Sequence, residues 1–207
     1  MPPAPEQRSV WIASPPSSSE RSGNRVTAER WAGHLTALGH DVKIAPEWNG
    51  EPADLLIALH ALKSAPSIER WTSTERERPL VVALTGTDLY GDLRTSSVAR
   101  RSLELASRIV VLQVLGKAEV APPLRSRVRT IVQSYEWHGD RPAPREDRFE
   151  VCVVGHLRAV KDPFRTALAA RQLDPRSRIH VMHIGAALDA EMEARARLEE
   201  AENPRYQ

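Results

Sequence analysis

The chain has 207 residues, 41% of them hydrophobic and 27% charged, with 29 Lys+Arg against 27 Asp+Glu for a formal charge of +2. This composition belongs to an ordinary globular protein and excludes disorder throughout; with both signs mixed along the chain, no general attraction for nucleic acid is expected and any anion site must be local. No apolar run approaches the roughly 18 residues that cross a bilayer and residues 1–5 form no charged-then-apolar leader. The single cysteine, Cys152, can form neither an internal disulfide nor a thiolate zinc site. A reducing, cytoplasmic setting is therefore the expectation.

Residues 1–8 read as a disordered N-terminus. From there short Val-, Ile- and Leu-rich runs alternate with segments of helical period, the pattern of a buried parallel sheet with crossover helices. Strands are predicted at 9–14, 41–45, 55–60, 80–85, 108–113 and 128–133, with helices at 27–38, 64–76 and 96–106. In the first helix Trp31, Leu35 and Leu38 recur at helical spacing and Gly39 supplies the stop. The polar, proline-containing stretch 135–148 reads as a linker closing a first domain of 9–134. A second domain, 149–207, opens with FEVCVVGH and continues with a helix carrying Pro163 at its first position. A strand at 178–185 and a charged helix from 188 to about 202 follow. Two strands and two helices are too few to cover a sheet, so the second domain is expected to be incomplete in this chain.

In open parallel sheets ligands bind beyond the carboxyl ends of the strands, where helix N-termini offer N–H groups to anions. Four loops there stand out. In the first, 14–27, Gly23 and Asn24 would let backbone approach a phosphate and Arg21 and Arg25 add charge. It carries neither a GxGxxG nor a Walker spacing, and a plain surface loop is the alternative. At the end of the third strand, His60 is either a satisfied structural histidine or a ligand contact. After the fourth strand, Thr85-Gly86-Thr87 suggests close backbone approach to a ligand, while Asp88 is either a chemical group or a helix N-cap. The fourth loop, 154–163 (VGHLRAVKDP), is the strongest signal. Gly155 and His156 turn the chain, and Arg158 and Lys161 are expected at the positive end of a helix, where cations are unfavourable unless an anion joins them. A diphosphate fits that description; solvated surface charge is the alternative. Elsewhere the histidines are scattered, with His180 and His183 expected on opposite faces of a strand, so no metal site and no cofactor are expected. Cys152, inside VCVV, reads as a buried core residue. The basic stretch 94–108 lacks interleaved aromatics and reads as a solvated face, not a nucleic-acid surface.

Two Rossmann-like halves, a proline-rich linker, a glycine loop after the first strand and Gly-x-Leu-x-x-x-Lys opening the second half resemble the GT-B glycosyltransferases of the family-4 group. Within it the wording is similar to the selenosugar synthase (SenB) family of selenoneine biosynthesis, over about residues 9–206. The matching strings are GNRVTA with Arg30-Trp31, LTALGH, GEPADLLIALH, LTGTDLY, VVLQ, IVQS, VCVVGHLRAVKDP and NPRY. The resemblance implies an α/β protein of GT-B type with a nucleotide-sugar-binding second half. It also implies an activity that joins the sugar of UDP-N-acetylglucosamine to selenophosphate, releasing UDP and phosphate. By position, Lys161 matches the lysine that holds the donor diphosphate, and His156 replaces the arginine usual after the glycine, for which Arg158 compensates. Gly23, Asn24 and Arg25 fall in the loop facing the acceptor. Thr85-Gly86-Thr87-Asp88 replaces the more usual His-Gly-x-Asp, which leaves the general base unassigned; selenophosphate, already anionic, can act without one. The family's later acidic donor motif falls outside these 207 residues, so the chain is expected to be part of a longer enzyme.

Overall fold

The computed structural model describes residues 6–16, 22–135, 139–140 and 143–207. By internal contacts the chain divides into two compact units, Met1–Glu136 and Trp137–Gln207. The first runs β1 (Ser9–Ala13), α1 (Gly23–Ala37), β2 (Asp41–Ala45), β3 (Leu55–Leu59), α2 (Ala65–Thr74) and β4 (Leu80–Leu84). A π-helical turn (Asp88–Asp92) then leads into α3 (Leu93–Thr95) and α4 (Ser97–Leu105), followed by β5 (Arg108–Val111), α5 (Gly116–Glu119), a 3-10 helix (Pro122–Arg127) and β6 (Val128–Thr130). The strands form one parallel sheet in the order β2-β1-β3-β4-β5-β6.

Strands covered on both faces need apolar residues at successive positions, as in the central β1, β3, β4 and β5, whereas the edge strands β2 (DVKIA) and β6 (VRT) carry exposed polar residues. One face carries Val10, Ile12, Ile57, Leu59, Ala83 and Val110 against Ala28 of α1. The other buries Trp11, Leu56, Val82, Leu84 and Ile109 against Ile68 and Trp71 of α2 and Leu103 of α4. On that face Trp48 meets Trp71 edge to face, ring centres 5.0 Å apart. The loop bearing Trp48 is pinned to α2 by Trp48 N–H on Ser67 Oγ and by Arg70 on Trp48 O.

Several boundaries differ from those expected. Helix α1 starts four residues early, at Gly23, because Ser22 is extended and its hydroxyl accepts from Arg25 N–H as an N-cap. Gly23, Asn24 and Arg25 therefore form a first helical turn, not a loop. β5 and β6 stop at Val111 and Thr130, short of residues 113 and 133. Residues 1–5 of the N-terminal segment, Arg21 with the rest of 17–21, and 136–138 and 141–142 of the proposed linker lie outside the described residues.

The second unit holds β7 (Phe149–Val154), a 3-10 turn (Ala159–Lys161), α6 (Arg165–Ala170), β8 (Ile179–Ile184) and α7 (Ala190–Glu202). The two strands are parallel, and residues 205–207 run beside β8 through Val181 N–H on Arg205 O and His183 N–H on Gln207 O. Its core, with Leu157, Phe164, Ala167, Ala170, Val181 and Tyr206, lies on one face only. This corrects the reading of Cys152, which is exposed. Cys152 pairs with Met182 and Val154 with the exposed Ile184, so the VCVV run points alternately into the core and into solvent. The expected helix start at Pro163 is also corrected. Asp162 takes a left-handed conformation (φ 45°) after the 3-10 turn, which interrupts helical geometry, and α6 begins only at Arg165.

The ends of β7 and β8 touch backbone to backbone. A Cβ on Gly185 would collide with the carbonyl of Gly155 and the backbone nitrogen of His156, so no side chain fits there. Gly185→Ala is expected to force these strand ends apart and destabilise the second unit by about 1–3 kcal/mol or more, the usual cost of overpacking. Amide hydrogen exchange checks this: protection should fall at 153–157 and 181–187 and hold in β1–β6.

Candidate functional site

β1 lies between β2 and β3, so the strand order reverses there, and in open parallel sheets the carboxyl ends at such a switch point are where ligands bind. His60, one residue past β3, and Thr85-Gly86-Thr87-Asp88, just past β4, come together at this sheet edge. Their centre is Asp88, whose side chain is wholly buried. Its Oδ1 accepts from Thr85 N–H (2.8 Å) and Leu89 N–H (3.0 Å), and its Oδ2 from Ala61 N–H (2.9 Å). The bond to Thr85, three residues back, closes the turn between β4 and the helical segment that starts at Asp88. The bond to Ala61 ties the β3 loop to the β4 loop. Both oxygens of Asp88 thus accept from backbone N–H groups. Gly86 sits at φ 114°, where a side chain would be strained, and this explains the Thr-Gly-Thr sequence.

His60 is 3% exposed and takes a left-handed backbone (φ 73°), uncommon for a residue with a side chain. Its Nδ1 accepts from Lys63 N–H (3.3 Å), and its Nε2 lies 3.1 Å from Thr87 Oγ1 and 3.6 Å from Asp92 Oδ2. Burial pushes the imidazole below its ordinary range; Asp88 and Asp92 pull it upward and Lys63 adds to the lowering, with burial the larger effect. Asp92 was not singled out in the sequence. The readable signal is its spacing from Asp88: in the widened turn of Asp88–Asp92 both carboxylates face His60.

Gly23, Asn24 and Arg25 stand apart from this network. Arg25 pairs with Glu29 one turn on, so its charge is already engaged, and no atom lies within 4 Å of a Cβ built on Gly23. The first turn of α1 is held instead from the end of β6: Gln133 donates to Thr27 Oγ1 (2.8 Å), and that hydroxyl donates to Gly23 O (2.8 Å).

In the second unit, Gly155 and His156 are zipped to the end of β8. Gly155 N–H donates to Ile184 O (2.9 Å), Leu157 N–H to Ala186 O (3.0 Å) and Ala186 N–H to His156 Nδ1 (3.2 Å). His183 Nε2 donates to Gly155 O (2.9 Å), which leaves its Nδ1 to accept from Tyr206 O–H (3.3 Å). Beyond this framework Arg158, the extended residue before the 3-10 turn, and Lys161, the last residue of that turn, are exposed, and among the described residues neither forms an ion pair. Nearby Asp162 is taken by Arg165. α6 is only six residues long and begins four residues past Lys161, so the pair's setting is the turn after β7 and not the helix end expected from sequence. An open pocket of about 410 Å³ beside this edge is lined by Leu157, His183, Gly185, Glu193, Arg197 and Tyr206. Among the described residues no group of three metal-ligating side chains converges, and no helix is long and apolar enough to cross a membrane.

No family model matches the chain, and no curated protein is similar to it. Among solved structures it is similar to Anabaena Alr3699/HepE, determined in complex with UDP-glucose, at 14% identity and a TM-score of 0.54, over 97% of this chain and 68% of that one. At this identity the likeness establishes the fold, an α/β architecture built on a parallel sheet.

Two outcomes follow from the Asp88–His60 network. Asp88→Ala strands three backbone N–H groups and should cost about 3–5 kcal/mol in chemical denaturation, with Asp88→Asn, which keeps one acceptor oxygen, costing less. His60 is held neutral in the fold, whereas the unfolded chain regains an ordinary value near 6.5 and binds more protons below it. Stability should therefore be flat above about pH 6.5 and fall as pH drops below it, before any ordinary carboxylate titrates. His60→Asn should remove that decline, as read by thermal unfolding between pH 7.5 and 5.

Proposed function

We propose that the chain belongs to a glycosyltransferase that moves the sugar of UDP-N-acetylglucosamine onto selenophosphate. The observation that carries this reading is the pair Arg158 and Lys161, two exposed cations without acidic partners on the turn after β7. In the same unit Arg148, Arg165, Arg171 and Arg197 form ion pairs, Arg178 and Arg205 donate to backbone carbonyls and Arg195 lies over the Phe164 ring; Arg176, like Arg158 and Lys161, forms no ion pair among the described residues. Two cations three residues apart offer a diphosphate charge-assisted hydrogen bonds without first having to leave an acidic partner. The UDP-glucose bound by Alr3699/HepE supports a nucleotide sugar as the ligand class.

In this reaction selenium attacks the anomeric carbon, a C–Se bond forms, the C1–O bond to UDP breaks, and water then cleaves Se–P to release phosphate. Lys161 and Arg158 hold the diphosphate and offset the charge that grows on UDP as it leaves; Gly155 and His156 shape the turn that presents them. The acceptor end is assigned to the first unit: Gly23, Asn24, Arg25, His60, Thr85, Gly86 and Thr87 contribute, with Asp88 fixing the loops. The two-domain division at 9–134 and 149–207, with a linker at 135–148, is part of this reading.

One observation favours a second acceptor class. Asp92 and Asp88 make the β3–β4 edge acidic, which suits a neutral sugar or lipid hydroxyl better than an anion. Mass spectrometry of products from UDP-N-acetylglucosamine with selenophosphate separates the two. A selenium-bearing sugar supports the first; binding of the nucleotide sugar without such a product supports a hydroxyl acceptor. Binding with no transfer to any acceptor would leave a non-catalytic nucleotide-sugar module. Lys161→Ala should weaken UDP-sugar binding by about tenfold or more in calorimetry while leaving thermal stability unchanged, since an unpaired surface lysine holds nothing in the fold. Equal losses of binding and stability would defeat the assignment.

A further inference from the structure

We propose that His60 is a positioning residue which fixes the Thr87 hydroxyl as a hydrogen-bond donor toward the acceptor substrate, and that it does not itself take the acceptor's proton. The proposal rests on the reading of the first unit as the acceptor end, and it deepens that reading by assigning the role of one buried side chain.

Both ring nitrogens of His60 are committed. A backbone N–H can only donate, so the bond from Lys63 N–H at 3.3 Å makes Nδ1 the acceptor and places the ring proton on Nε2. At Nε2 the nearest oxygen is Thr87 Oγ1 at 3.1 Å, with Asp92 Oδ2 further off at 3.6 Å. The hydroxyl therefore accepts from Nε2–H. It makes no other hydrogen bond among the described residues, and Thr87 is exposed, so its own proton remains for a group outside the protein. His60, by contrast, is buried and cannot reach that group. The charged groups facing the ring are Asp88, Asp92 and Lys63. Asp88 Oδ2 stands 4.0 Å from Nδ1, beyond hydrogen-bond reach, and is already engaged by Ala61 N–H. The left-handed backbone at His60 points the same way. Strain of this kind persists where the surroundings fix it, and here the fixing bonds are His60 N–H on Ala83 O and Ser64 N–H on His60 O.

Two measurements test this. The first needs no turnover: a long-range proton–nitrogen NMR correlation of the imidazoles at neutral pH, on wild type and Thr87→Val. Expected are an unprotonated Nδ1 and a protonated Nε2 for His60, with the Nε2 proton shifting in Thr87→Val and the fold unchanged. A protonated Nδ1, or a His60 signal indifferent to Thr87→Val, overturns the proposal. The second is transfer from UDP-N-acetylglucosamine to selenophosphate by His60→Asn, Thr87→Val and the double variant. Asn tolerates the left-handed backbone and its Oδ1 can still accept from Lys63 N–H, so folding is preserved while donation to Thr87 is lost. Each single variant should lower kcat/KM about tenfold, the double variant little further, and the acid limb of the pH–rate profile should stay in place. Loss of that limb in His60→Asn, with a rate loss of a hundredfold or more and a neutral Thr87→Val, would make His60 the base and overturn the proposal. If wild type makes no selenosugar, the proposed reaction fails, and the NMR outcome alone decides the role of His60.

Discussion

The first unit depends on one buried carboxylate. Taking Asp88 out of water is expensive, and the cost is met by three backbone N–H donors delivered from two loops that the sequence separates by more than 20 residues. Those donors also set where everything else stands. Ala61 must turn its N–H toward Asp88, which follows from the left-handed turn at His60; Thr85 must turn back toward it, which follows from the positive φ of Gly86. With both turns fixed, the imidazole, the Thr87 hydroxyl and Asp92 have little freedom left. The carboxylate is thus an anchor whose effect on chemistry passes entirely through the groups it holds.

The second unit solves the same task without a buried charge. Its two strand ends are joined by backbone contact at Gly155 and Gly185, reinforced by His183 through a single defined tautomer. The elements that follow are locked by Arg171, which holds Glu199 through two bonds and reaches Glu202, and by Asn203, which spans Ala167 O and Glu199. Next to this framework Arg158 and Lys161 form no ion pair among the described residues, while the nearby Arg165 is held by Asp162.

The central strands of the first unit are legible in the sequence because burial on both faces leaves continuous apolar runs in β1, β3, β4 and β5; the edge strands β2 and β6, half exposed, show only shorter ones. The starts of α1 and α6 are not legible. Ser22 as a cap competes with several other serines in the same loop, and the left-handed Asp162 that delays α6 carries no sequence mark of its own. The exposure of Cys152 has a related cause: an apolar run signals burial on both faces only where both faces are covered, and β7 and β8 are covered on one. Of the candidate site, the loops were readable from their position after strands and from Gly86. What links them was not, since the bond from Ala61 to Asp88 and the proximity of His60 to Asp92 exist only once β3 and β4 lie side by side.

The two strand-end clusters differ in sign, and that difference bears on the chemistry proposed. A displacement at an anomeric carbon asks for stabilisation of negative charge at the leaving diphosphate, and unpaired Arg158 and Lys161 are of the right sign. The entering group sees the opposite: a buried carboxylate, a partly exposed one at Asp92, a neutral imidazole and a hydroxyl. Such surroundings do not hold an anion by charge, so a selenophosphate acceptor would have to be held by hydrogen bonds, of which the Thr87 hydroxyl is one. A weakly held, already nucleophilic acceptor reacts more readily than one clamped by arginines, because strong ground-state pairing would have to be given up as its charge is lost in the transition state. The carboxylates beside Thr87 and the unpaired cations after β7 each carry the sign that the proposed change of charge asks of them.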